Sequence, residues 1–109
     1  MRKTLRLTRN DFQPSYYGTI VDSAGTPIDL TGASLVFTMV KRGETTPKVS
    51  RATVTVTDPL NAEWQYDWQG TDTDSRGVYD VEVEVTPATG GKFTVGMGRV
   101  IIRSDLDET

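Results

Sequence analysis

Three groups of residues in this 109-residue chain have types and spacing that could support chemistry. The first is Asp72-Thr73-Asp74-Ser75-Arg76-Gly77. Its aspartates fit the first and third positions of a calcium loop, and Gly77 fits the turn glycine at the sixth. Arg76 then places a positive charge at a ligand position, and Val83 stands where a bidentate glutamate is required. The stretch reads as a solvated polar loop. The second group is Asp80, Glu82 and Glu84, which alternate and so share one face of a strand. Acid–base catalysis needs an environment that raises a carboxyl pKa. A water-facing row does not supply one, and it reads as a charged outer face that discourages aggregation. The third group is Trp64, Tyr66 and Trp68 in WQYDW, three rings on one strand face. Such a row is either a sugar-binding platform or half of a hydrophobic core. Glu63, Gln65 and Asp67 mark the opposite face as the wet one, which assigns the rings to the core. Trp68, at the strand end, is the ring closest to a rim.

What is missing narrows the function further. The chain has no cysteine and no histidine. Disulfides, thiolate sites, imidazole metal sites and a Ser-His-Asp triad are excluded. Gly90-Gly91 precedes no helix that could cradle a phosphate. With no catalytic constellation, the expectation is a non-enzyme without cofactor, metal or small-molecule substrate. The balance of 12 Lys+Arg against 15 Asp+Glu lacks the basic footprint of a nucleic-acid binder. No apolar run approaches a bilayer span, and MRKTLRLTRN lacks the apolar core of a signal peptide. No membrane partner is expected, and the chain reads as mature, soluble and non-secreted.

The elements that must position these residues are strands. Alternation dominates over helical periodicity, and turn residues recur at intervals typical of an all-β domain. Strands are expected at Leu5–Leu7, Tyr16–Asp22, 33–40, 51–57, 62–68, 78–85 and 93–103, with a turn at Ser23–Pro27 in which Gly25 takes a positive φ. Phe37 joins Leu35 and Met39 on a core face, and Tyr79, Val81 and Val83 face inward on their strand. Gly96 and Gly98 suggest a bulge. The expected fold is all-β, an immunoglobulin-like antiparallel β-sandwich of seven or eight strands, with a small β-barrel as the alternative. A single domain spans 1–109, with residues 1–9 and 104–109 as flexible ends. The basic start (Arg2, Lys3, Arg6, Arg9) could instead be an arm that meets the acidic end (Asp105, Asp107) in an assembly. Tyr16 and Tyr17 face opposite ways, so one belongs to the core and the other could anchor an interface.

YYGTIVDSAGTPIDLTGASLVFTMV, then AEWQYDWQGTDTDSRGVYDVEVEVT and a glycine turn, resemble a known family in their order. This is the small immunoglobulin-like domain at the N-terminus of upper baseplate proteins of tailed bacteriophages, also found as stand-alone phage proteins. The resemblance runs from Asp11 to Arg103 and is sharpest at Asp29-Leu30-Thr31-Gly32-Ala33 and from Trp68-x-Gly70 to Gly77-x-Tyr79. Asp29 and Thr31 can bond local amides, and Gly32 permits a tight bend, so the first of these is a corner rather than a site. The resemblance implies a virion structural protein, made in the host cytoplasm, in a baseplate, tail or neck. Its partners would be other virion proteins and further copies of itself. A capsid decoration protein and a carbohydrate-binding module are the alternatives. Upper baseplate proteins usually carry a long region after this domain, which this sequence lacks.

Overall fold

The computed structural model describes residues 3–104. Among them are eight strands and no helix: β1 (Lys3–Thr8), β2 (Tyr16–Thr19), β3 (Ser34–Lys41), β4 (Pro47–Thr53), β5 (Thr55–Asp58), β6 (Glu63–Tyr66), β7 (Gly77–Thr86) and β8 (Phe93–Arg103). They form two sheets, one ordered β1-β8-β7-β3-β4 and one ordered β2-β6-β5. This is a sandwich and not a barrel. The runs β8-β7-β3 and β2-β6-β5 follow the strand order of the immunoglobulin fold.

Period-two patterning explains the core. On β7, Tyr79, Val81, Val83 and Val85 are buried, while Asp80 and Glu82 are exposed and Glu84 is half-buried. On β3, Leu35, Phe37 and Met39 are buried, and Val36 and Val40 on the other face are half-buried. Trp64, Tyr66 and Trp68 point from the smaller sheet onto Phe37. The Trp68 Nε1–H, at the strand end, donates to the Pro14 carbonyl at 3.0 Å, so even this ring is held inside.

Local chemistry closes the turns. Asp22 accepts backbone hydrogen bonds from Ala24 and Thr26, both at 2.9 Å, and Gly25 has φ 83°. Asp29 accepts from the Thr31 amide and hydroxyl, and Gly32 has φ 74° before β3 begins. The Tyr79 hydroxyl donates to the Ser75 carbonyl at 2.6 Å, four residues upstream at the start of β7. That is the tyrosine corner of immunoglobulin-like sandwiches. The β8 glycines sit at a register shift: Val81 pairs with Gly98 and Glu82 with Gly96, which leaves Met97 as the extra residue.

The structure departs from the sequence reading at four places. The sandwich is not wholly antiparallel, because β1 runs parallel to β8, from Lys3 opposite Gly98 to Thr8 opposite Arg103. Residues 3–8 are thus an edge strand with Leu7 buried beneath it, not a loose end. The run 51–57 is two strands: β4 pairs with β3 in the larger sheet, and β5 pairs with β6 in the smaller. Finally, β4 begins at Pro47, ahead of the strand expected at 51–57.

Candidate interaction surface

The core claims most of the aromatic surface. Trp64, Tyr66 and Trp68 are 1%, 2% and 3% exposed. No flat row of rings faces water, so WQYDW is not a sugar platform. Intrinsic tryptophan emission should therefore be blue-shifted in the native domain and unchanged by titrated glycans. A red, sugar-sensitive emission would return the rings to the surface.

Of the tyrosine pair, Tyr16 is fully buried, stacked on Trp64 with centroids 5.8 Å apart. It is therefore no interface residue. Tyr17 is 51% exposed and borders a recess of ≈ 340 Å³ whose walls include Gly18, Thr19, Glu63, Trp64 and Met97. Trp64 Nε1 is buried there without a hydrogen-bond partner among the described residues. Arg2, Asp105 and Asp107 lie outside the described residues, as does the side chain of Lys3. Parallel pairing puts the start of β1 and the chain's exit at Ser104 at opposite ends of the edge.

The polar loop between β6 and β7 is tied down by its acids. Asp72 accepts from the Tyr66 hydroxyl and from the Gln69 amide. Asp74 accepts from Lys48 and from the Ser75 hydroxyl. The buried Thr73 hydroxyl donates to the Asp11 carbonyl at 2.9 Å. These carboxylates thus brace the loop rather than face a common point.

The described cations are confined to one sheet and its loops, and that sheet also carries Asp80, Glu82 and Glu84 on β7. Residues 10–40 and 52–75 contain no lysine or arginine, and they include all of β2, β5 and β6. The same stretches carry eight acids: Asp11, Asp22, Asp29, Asp58, Glu63, Asp67, Asp72 and Asp74. Among the described residues, every cation therefore belongs to the larger sheet or to the loops that serve it. Arg42 pairs with Asp80 at 2.9 Å and Arg51 with Glu84 at 3.1 Å, across its outer face. On β1 and β8 the outward residues include Arg6, Arg99 and Arg103, all exposed, around half-buried Ile101. These three arginines make no ion pair among the described residues. A shallow groove of ≈ 610 Å³ next to them is lined by Lys41, Arg76, Val78, Ile101 and Arg103.

Hydrogen bonds keep the smaller-sheet side anionic. Those from Ser15 and Gln65 hold Asp67 below the usual carboxylate range, and those from Thr31 do the same for Asp29. The buried phenols shift the other way. Burial pushes Tyr16 up to about 12. Burial also raises Tyr66, with the Asp72 hydrogen bond and the charges of Asp72 and Asp67 adding to it. Burial raises Tyr79 too, helped by the charges of Glu44 and Asp74. An unfolded tyrosine ionises near 10, so the folded chain keeps protons that the unfolded chain loses. The stabilisation is complete below pH 10 and falls as pH rises through the folded values. Urea unfolding at pH 11 should show less stability than at pH 8, by on the order of 1 kcal/mol for each of Tyr16 and Tyr66. Equal stability at the two values would mean that these phenols reach water.

Neither a scan against protein-family models nor a search of the curated proteins finds a match to this chain.

Proposed function

We propose that this chain is a non-enzymatic structural protein of a tailed-phage particle, an adaptor that works by docking its β surfaces against other virion proteins and further copies of itself. The observation that carries this reading is the ordered set of corner and loop motifs quoted from the sequence, now placed on a sandwich. Asp29–Ala33 turns into β3, and the stretch from Trp68 to Tyr79 forms the braced loop and tyrosine corner before β7. The fold supports it in a second way. The rings are consumed by the core, so what the domain offers a partner is its outer faces and four strand edges, β1, β4, β2 and β5. Exposed edges and charged faces are the usual means by which β domains add to assemblies.

The test is immunogold labelling of purified particles with an antibody to this domain. Label at a single locus is expected. A tail, baseplate or neck locus supports the adaptor role, and label over the whole capsid would replace it with decoration. Protein found only in the infected-cell lysate, with unlabelled particles, would overturn the virion reading.

A further inference from the structure

The absence of any cation from the smaller sheet, against the outward arginines of β1 and β8, says more than that the domain docks: it names a partner surface. We propose that copies of this chain associate through opposite faces, with the arginine face of β1 and β8 on one copy seated on the acidic outer face of the three-stranded sheet of the next. This deepens the assembly role proposed above and rests on it for its biological setting.

The two faces are complementary in charge and in layout. Arg6, Arg99 and Arg103 surround Ile101 on one side of the sandwich. On the other side, Glu63 of β6 and Asp67 just past its end flank the exposed Tyr17 of β2, with no cation anywhere in that sheet. Each face thus has an apolar centre inside a charged rim, the layout of a specific protein interface. Guanidinium forks match carboxylates in a bidentate way that lysine does not. Here the three outward cations of β1 and β8 that make no ion pair among the described residues are all arginine. The domain measures 50 × 25 × 25 Å, which leaves room for the roughly 800 Å² that each partner buries in a standard interface. A net charge of −3 opposes association only weakly, because the attraction acts between local patches within a Debye length.

The contact joins two different faces, so it is heterologous. A pair of copies leaves one arginine face and one acidic face open. Growth continues until a ring closes or a filament extends. The same geometry makes the proposal sharp to test, because neutralising one face leaves the other competent.

The measurement is the mass of the purified chain by light scattering, over a range of concentration and salt. Assemblies larger than the 12.0 kDa monomer are expected at low salt, reverting toward monomer as sodium chloride approaches about 0.5 M. Two double variants follow. Arg99→Gln with Arg103→Gln removes one face. Glu63→Gln with Asp67→Asn removes the other and keeps the oxygen that Ser15 and Gln65 bond. Each variant alone should need at least about tenfold higher concentration to associate. An equimolar mixture should give a species of twice the monomer mass and nothing larger, since the only intact faces meet once. Wild type that is monomeric at every salt overturns the proposal. So does a mixture that forms no dimer, or a variant that associates like wild type. The salt series on wild type stands even if a variant fails to fold. Face-to-face association without label on virions would keep this contact and remove the phage reading. Labelled virions with a monomeric protein would do the reverse.

Discussion

Phe37→Ala is expected to cost about 3–5 kcal/mol, the range for deleting a buried aromatic ring. Phe37 is fully buried at the middle of β3, with Val83 of β7 on one side and Ala52 of β4 on the other. Four rings of the opposite sheet side converge on it: Tyr66 stacked at 4.4 Å, Tyr16 at 5.5 Å, Trp68 at 5.8 Å and Trp64 at 6.3 Å. Aromatic pairs add to the area they bury, and here the lost ring touches all of them. The void would lie between two sheets pinned by hydrogen bonds, so it cannot collapse. A domain of this size holds about 5–15 kcal/mol in total. The melting temperature should fall by roughly 12–40 °C, at about 4–8 °C per kcal/mol. The control is Phe12→Ala, whose ring is 47% exposed and whose loss should stay within about 0.5 kcal/mol. Similar losses for the two variants, by urea and thermal unfolding, would mean that Phe37 is not the centre of the core.

Gly18→Ala is the second large effect, and it arises from one methyl group. Gly18 lies directly opposite Trp64 in the β2–β6 pair, between the inward residues Tyr16 and Ile20. A Cβ there would stand 2.3 Å from Trp64 Cζ2 and 2.5 Å from Cε2. The indole cannot retreat, because Tyr16 stacks against it at 5.8 Å and Phe37 meets it edge-on. Overpacking of a rigid core usually costs about 1–3 kcal/mol, and this contact belongs at the upper end. The proof of mechanism is a double-mutant cycle with Trp64→Leu. If the clash is the cause, alanine at 18 should cost far less when the indole is gone, a coupling of at least about 1 kcal/mol. Additive losses would assign the effect to the backbone of β2 instead.

Both positions show how unevenly the fold was legible. Phe37, Trp64, Tyr66, Tyr79, Val81 and Val83 could be placed in the core from alternation alone, since each strand declares its wet face by its polar residues. Gly25, Asp29 and Gly32 announced their turns because those side chains and φ values act within a few residues. Gly18 announced nothing. Its reason is a ring on a strand that follows some forty residues later, which no local pattern carries.

The split of 51–57 was hidden for a related reason. Ala52, Val54 and Val56 keep one unbroken alternation, yet the chain changes sheets at Val54, whose amide reaches the Leu35 carbonyl while Thr55 already pairs with Gln65. Side-chain period reports which face is wet and is blind to which strand lies alongside. The direction of β1 escaped in the same way, because Leu5 and Leu7 alternate identically in a parallel or an antiparallel pair.

By itself, then, the sequence determined the strand class, the core faces, the local turns and the exclusion of histidine and cysteine chemistry. Each of these depends on residue type or on neighbours within one turn or one strand. Tertiary structure alone decided which strands share a sheet, that β1 runs with β8, that Gly18 makes room for Trp64, and that the described cations all lie on or beside the larger sheet. Those facts depend on hydrogen-bonded pairings between residues far apart in the chain, such as Leu5 with Val100 and Tyr16 with Tyr66. Only the closing of both sheets over one core selects them.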